Sequence, residues 1–293
     1  MSVQTITASG ASEPKRILSN FERDLYRLLR TPSFVVGFSI VMFWLLCAIF
    51  GPFIVHHDPF ADNLLMSLKP PSWEHWFGTD QLGRDIFSRV LVGSRDILTV
   101  APIATILSTV LGTTLGLVMG YYGGWVDEIL SRLVDAILAL PTIIVALLAL
   151  TALGTSIITV VVVIAFTFSP IIARTVRSAV LTECSLDYIA VAELRHDSHF
   201  YILFAEILPN VIRPVLVETT VRLGYAIFTV ATLSFIGFGI QPPSADWGLS
   251  ISSNYVLMAG GFWWTVVFDG AAITSLVVAI NLIADGLESL SYD

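Results

Sequence analysis

The feature that most restricts this chain is a series of long stretches without a single charged residue. Ser33–Val55 runs 23 positions without one, Ile97–Val126 runs 30, and Ala136–Ala173 runs 38. A helix rises 1.5 Å per residue, so about 20 apolar residues cross the roughly 30 Å of bilayer hydrocarbon. Composition points the same way. Of 293 residues 55% are apolar and 13% charged, whereas soluble domains carry about 25% charged residues. A water-soluble fold could not hide so much apolar surface.

The expected fold class is therefore an all-α integral membrane protein with six spans. Ser33–Val55 is the first and Ile97–Val126 contains the second. The 38-residue run is too long for one helix and holds two, the third span starting near Ile129, with Gly154 as the break and Pro170 near the end. The fifth lies between Val211 and Phe238 and the sixth between Trp263 and Ala284. In this plan 1–32 is a cytoplasmic tail, 56–96 an external cap, 97–286 the remaining spans with a cytoplasmic loop at 181–210, and 287–293 a cytoplasmic end.

The distribution of Lys and Arg sets the orientation. Lys15, Arg16, Arg23, Arg27 and Arg30 precede the first span, and Arg174, Arg177, Arg195 and Arg213 lie in the 171–213 loop. The loops 151–157 and 239–262 have no basic residue. Both termini then face the cytoplasm. The segment 56–96, with Lys69, Arg84, Arg89 and Arg95, is the exception. Ile17, Leu18, Phe21, Leu25, Leu28 and Leu29 recur at helical spacing among charges, the pattern of an interfacial helix. A secretory signal would be shorter and more apolar here.

Gly112, Gly116 and Gly120 form consecutive GxxxG steps, which let helices approach closely. They serve packing within the bundle or a subunit contact. In the cap, Pro59, Pro70, Pro71 and Trp73–Asp80 lead to a short re-entrant helix expected from Gln81. His56, His57 and Asp58 read as solvated rather than metal-binding, as do His75, His196 and His199. No metal ligand set, no GxxxxGK[ST] phosphate loop and no basic patch for nucleic acid is present in the sequence. Cys47 and Cys184 form neither a metal spacing nor a disulfide framework.

Leu181–Asn210 reads as two short helices around the polar cluster Arg195–Ser198, with Ser198 as a cap and Pro209 at the end of the second. Its exposed apolar residues call for a protein partner or the membrane surface. In the fifth span Glu218 and Arg222 lie one turn apart, as a polar pathway lining or as an ion pair that fixes packing. Asp269 and Asp285 read as boundary residues of the sixth span.

Phe77–Arg89 with its Gly78-Thr79-Asp80 and Gly83-Arg84-Asp85, followed by Gly93-Ser94-Arg95, resembles the amino-terminal signature of permease subunits of dipeptide, oligopeptide and nickel ABC importers. Leu233–Pro243 followed by Asp246-Trp247-Gly248 is similar to their fifth-span exit, including Phe235. Asp187-Tyr188 through Leu208-Pro209-Asn210 resembles their cytoplasmic coupling loop. The QPP…DWG element is similar to that of the DppC/OppC-type second permease of each pair.

The resemblance implies a six-helix, type I importer-like permease in a prokaryotic plasma membrane. It pairs with a homologous permease, docks two ATPase subunits and receives substrate from a binding protein. ATP and Mg would be used by the partners, and this chain would hold no cofactor and no catalytic site. Substrates would be di- or oligopeptides, a modified peptide or a nickel chelate. The family loop reads Glu-Ala-Ala, three residues, then Gly. Here it is Ala190-Val191-Ala192, Glu193-Leu194-Arg195, then His196, as in the loosened loops of permeases for antimicrobial-peptide uptake. The turn either keeps His196 in the left-handed region, lengthens the first helix, or shifts to Asp197-Ser198. A self-sufficient secondary transporter and an intramembrane enzyme are the rival classes; no repeat or convergent catalytic set supports them.

Overall fold

A computed structural model of the protein describes residues 26–289. The interfacial helix expected over Ile17–Leu29 lies largely outside them; Tyr26–Arg30 is helical. Nine helices of eight or more residues follow among the described residues: α1 Pro32–Ile54, α2 Ile86–Tyr122, α3 Gly124–Leu138, α4 Thr142–Leu153, α5 Ile157–Glu183, α6 Asp187–Leu194, α7 His199–Ile236, α8 Trp247–Asn254 and α9 Trp264–Ser289. Five are long and apolar enough to cross a membrane, and α3 with α4 forms a sixth span if the bent pair counts as one.

That pair departs from the expected plan. The third span does not run straight from Ile129 to Gly154; α3 and α4 meet at 87° across Ala139–Pro141. Pro141 has no N–H to donate and pushes Leu140 out of the helical region, so the ladder stops there. Gly154 does end α4, at φ 86°. Pro170 ends nothing. It lies inside α5, which continues to Glu183, as membrane helices allow when neighbours satisfy the freed groups.

The expected re-entrant helix from Gln81 is absent. Residues 79–85 form one tight turn closed by an antiparallel bridge between Thr79 and Asp85, and α2 begins at Ile86 because the Asp85 carboxylate accepts the Ser88 N–H at 2.8 Å. The second span therefore starts eleven residues before Ile97 and is 37 residues long. The second helix of the 181–210 loop is not separate either. It merges through a wide π turn, Ile202–Ile207, into the fifth span, with Pro209 in the first turn beyond the junction.

The bundle is built on α2 and α5, whose contact is the most extensive in the molecule. Gly112, Gly116 and Gly120 lie along that seam. A Cβ on Gly112 would meet Ile172 Cβ and Ser169 O at 2.6 Å, and one on Gly116 would meet Ala173 O at 2.7 Å. The glycines therefore serve packing within the bundle. In lipid there is no water to expel from between helices, so close approach itself supplies the attraction.

At one end of the bundle lies the cap, residues 55–85, joined by the 237–263 segment. At the other, α6 and the first turns of α7 make a helical hairpin. The two ends have separate buried clusters: Trp44, Ile97, Leu233 and Trp247 belong to the larger one toward the cap, and Val176, Ile189, Ile202 and Ile207 to the one under the hairpin.

Candidate functional site

Three groups of residues carry the functional expectations, and the fold keeps them apart. The hairpin comes first. Ile189 and Ala192 project from α6 into the buried cluster, where Ile202, Leu203 and Ile207 from the second arm meet Val176 and Val180 of α5. Asp187 opens α6, where a carboxylate complements the helix N-terminus. The Tyr188 hydroxyl donates to Glu183 Oε1 at 2.7 Å and accepts from Asn210 Nδ2 at 3.0 Å, bridging the two arms. Burial, then the Glu183 bond, pushes that phenol up to about 12, so it stays a donor at any working pH. Asn210 also bonds the Glu206 carbonyl. Leu208 is half-buried, while Pro209 and Ala190 are exposed.

The turn resolves the open question in the sequence. His196 takes the left-handed conformation, at φ 58°, at the position where the loop it resembles carries glycine. The turn has not moved to Asp197-Ser198. Asp197 N–H bonds the Ala192 carbonyl, and Ser198 Oγ caps the second arm by accepting from Tyr201 N–H. Arg195 holds the bend from outside, reaching Asp197 Oδ2 at 2.7 Å and Glu206 Oε1 at 3.2 Å. Tyr121 at the end of α2 contacts His199 Nδ1 at 2.8 Å. The outer face carries Leu186, Val191, Leu194 and Phe200, with Leu194 80% exposed.

The second group lies on α7. Glu218 Oε1 and Arg222 Nε are 2.7 Å apart, each side chain about 15% exposed. The pair is an ion contact without hydrogen-bond alignment, and the guanidinium also sits 4.7 Å over the Tyr225 ring. Phe235, 39% exposed and edge-on to Tyr255, is about 20 Å further along the helix. The three are not one site.

The third group ties the cap together. Gly78 and Gly83 have φ 78° and 73°, and a Cβ on Gly83 would lie 1.8 Å from the Asn63 carbonyl oxygen. Thr79 exchanges hydrogen bonds with Lys69 and reaches the Met66 carbonyl, while Asp80 accepts from Leu82, Arg84 N–H and Arg84 Nε. Asp85 caps α2 and pairs with His75 Nδ1 at 2.8 Å. These six residues hold the cap together.

Sequence reading missed four buried groups. His75, expected at the surface, is buried on Asp85. Arg89 is buried and donates to Pro59 O, Ser244 O and Ser250 Oγ, joining the cap to the 244–250 segment. Asp269 lies near the start of α9, as expected of it, but is buried there at 3% exposed. Asp246 caps α8 through Leu249 N–H, and burial pushes its carboxyl up to about 6. The ten-residue step from His75 to Asp85 was a visible signal; the burial of the others depends on distant chain.

Comparison with known proteins fits this arrangement. Residues 112–291 match the family described as binding-protein-dependent transport system inner membrane component. Residues 21–71 match the N-terminal TM domain of oligopeptide transport permease C. The chain is 36% identical to the "Probable D,D-dipeptide transport system permease protein DdpC" of Escherichia coli (strain K12), covering 96% of this chain and 94% of that one. It is 40% identical to the dipeptide transport system permease protein DppC of Alkalihalophilus pseudofirmus, over 86% and 83%. A chain of the MetNI methionine ABC transporter in inward facing conformations superposes with a TM-score of 0.55 at 18% identity, covering 70% of this chain and 95% of that one. By sequence over nearly its whole length, and by a type I importer-like helical fold, the chain belongs to the family of binding-protein-dependent transport system inner membrane components, as a multi-pass permease of the DppC/OppC type.

Proposed function

We propose that this chain is one half of the membrane pathway of an ATP-driven peptide importer. Peptide is the substrate class named for its relatives. In this reading both termini and the hairpin lie in the cytoplasm and the cap lies outside. A homologous permease completes the pathway, and a substrate-binding protein delivers to the cap side. Two ATPase subunits, which use ATP and Mg, bind the hairpins.

The observation that carries the reading is the hairpin. Its inner face is packed and its turn is fastened by Arg195, yet its outer face keeps Leu186, Val191, Leu194 and Phe200 in the open. An exposed apolar face on a rigid mount is a socket for another protein. Asp187, Tyr188, Ala190, Ala192, His196, Leu208, Pro209 and Asn210 set its shape. Glu218, Arg222 and Phe235 are the pathway candidates.

Leu194→Asp in the tagged chain tests the proposal after gentle membrane extraction. The second permease should still copurify, the ATPases should be lost, and ATP-driven uptake should stop. Undiminished ATPase recovery and uptake would overturn the docking assignment. Uptake by the chain without any ATPase would revive a self-sufficient secondary transporter. Arg222→Glu should change which peptides are taken up; unchanged selectivity with poorer assembly would make the pair a packing element.

A further inference from the structure

At the cap end lies a cavity of about 690 Å³, within the size range of small-ligand sites. The last turn of α1, the early turns of α2, Ile157 at the start of α5 and the 240–244 loop bound it. Its walls are mainly apolar, from Pro52, Val55, Phe60, Val92, Ile240 and Pro243.

Three charges open into it. Arg95 is exposed, and among the described residues its guanidinium has neither an ion pair nor a side-chain hydrogen bond. Asp58 and Asp96 line the same space. Each uses one oxygen internally, Asp58 Oδ1 for Phe60 N–H at 2.9 Å and Asp96 Oδ2 for Ser244 Oγ at 2.5 Å, and each leaves the other oxygen over. A smaller cavity of about 360 Å³ shares His56 and His57 and adds Trp73, Glu74 and Trp76, acid and aromatic groups that suit an ammonium.

An open guanidinium fork in a partly apolar recess receives a carboxylate. A simple anion would meet two carboxylates here, and a simple cation would meet Arg95. A zwitterion satisfies both signs at once. We infer that this cavity is an entry site on the permease for peptides with free termini, Arg95 receiving the terminal carboxylate and Asp58 with Asp96 the terminal ammonium. The inference rests on the peptide reading above and adds a recognition step made by this chain itself.

The test uses the intact transporter, with its ATPases and binding protein, in proteoliposomes. Initial uptake of trialanine and of trialanine amide is measured for wild type and Arg95→Gln. Loss of a charged hydrogen-bond pair should raise KM for trialanine about tenfold while changing that for the amide by no more than roughly twofold. Arg95→Lys should restore part of the difference. Any preference of the binding protein for free carboxylates cancels in the mutant-to-wild-type ratio. Equal ratios for the two peptides, with wild-type uptake intact, would remove the site and leave the peptide reading standing. A wild-type transporter that takes up neither peptide would remove both. Asp58→Asn with acetyl-trialanine reads the ammonium end in the same way.

Discussion

His196 occupies a conformation that costs an L residue about 1 kcal/mol or more. Glycine enters it freely, whereas a β-branched side chain does not. His196→Gly should therefore retain uptake and hairpin stability, and His196→Ile should lower ATP-driven uptake severalfold through a distorted turn; uptake by matched amounts of protein checks both. Histidine was legible as a tolerable substitute because short polar or planar side chains visit this region more than most. Asp246 was not legible, since nothing adjacent to it in sequence buries it. Its carboxyl loses its proton near pH 6 in the folded chain and near 3.8 in the unfolded one. Between those values the folded chain holds a proton that the unfolded chain has released. Stability therefore falls as pH rises through that window and levels off above it. The full effect is on the order of 3 kcal/mol. Thermal unfolding in detergent from pH 4 to 7 should show this slope, and Asp246→Asn, which keeps a capping oxygen, should flatten it.

At the level of elements, the α2–α5 seam has no room for added atoms. Gly116→Val would press on Ala173 O and Val176, and overpacking of this kind costs about 1–3 kcal/mol. The variant should unfold at lower temperature in detergent, while Gly224→Ala, whose Cβ would meet only ordinary contacts beyond 3.4 Å, should not. The seam was legible because the GxxxG spacing states its own geometry. Helix ends were less so. Gly154 announced a break, but Pro141 stopped a helix and Pro170 did not. Whether a membrane helix tolerates a proline depends on tertiary contacts that the local sequence does not display. The amphipathic α3 is clipped to α5 by a two-pronged Arg177–Asp127 pair at 2.5 Å and by Arg174–Asp135. Arg177→Gln should free α3, seen as faster amide exchange over 124–138 than in α2.

Over the whole molecule, five to six spans could be read from long apolar runs, because the bilayer imposes a fixed length on every crossing, and the hairpin from the amphipathic stretch between two of them. The cap could not, because its order comes from contacts such as Arg89 with Ser244 and Ser250, over 150 residues away in sequence. Arg89→Gln should detach the cap from the 244–250 segment and reduce uptake more than it reduces ATPase recovery, since the hairpin lies at the opposite end. Uptake and copurification measured on the same preparation separate the two.

The continuity of α7 has a mechanical consequence. Thirty-eight residues run from the hairpin to the turn before Gln241 as one helix about 57 Å long, so, if ATPases dock on the hairpin as proposed, a displacement there would reach the level of Phe235 through a single element. In that reading the π turn at Ile202–Ile207, set beside the hairpin, leaves Leu208–Ile236 as the segment that would carry the displacement through the membrane.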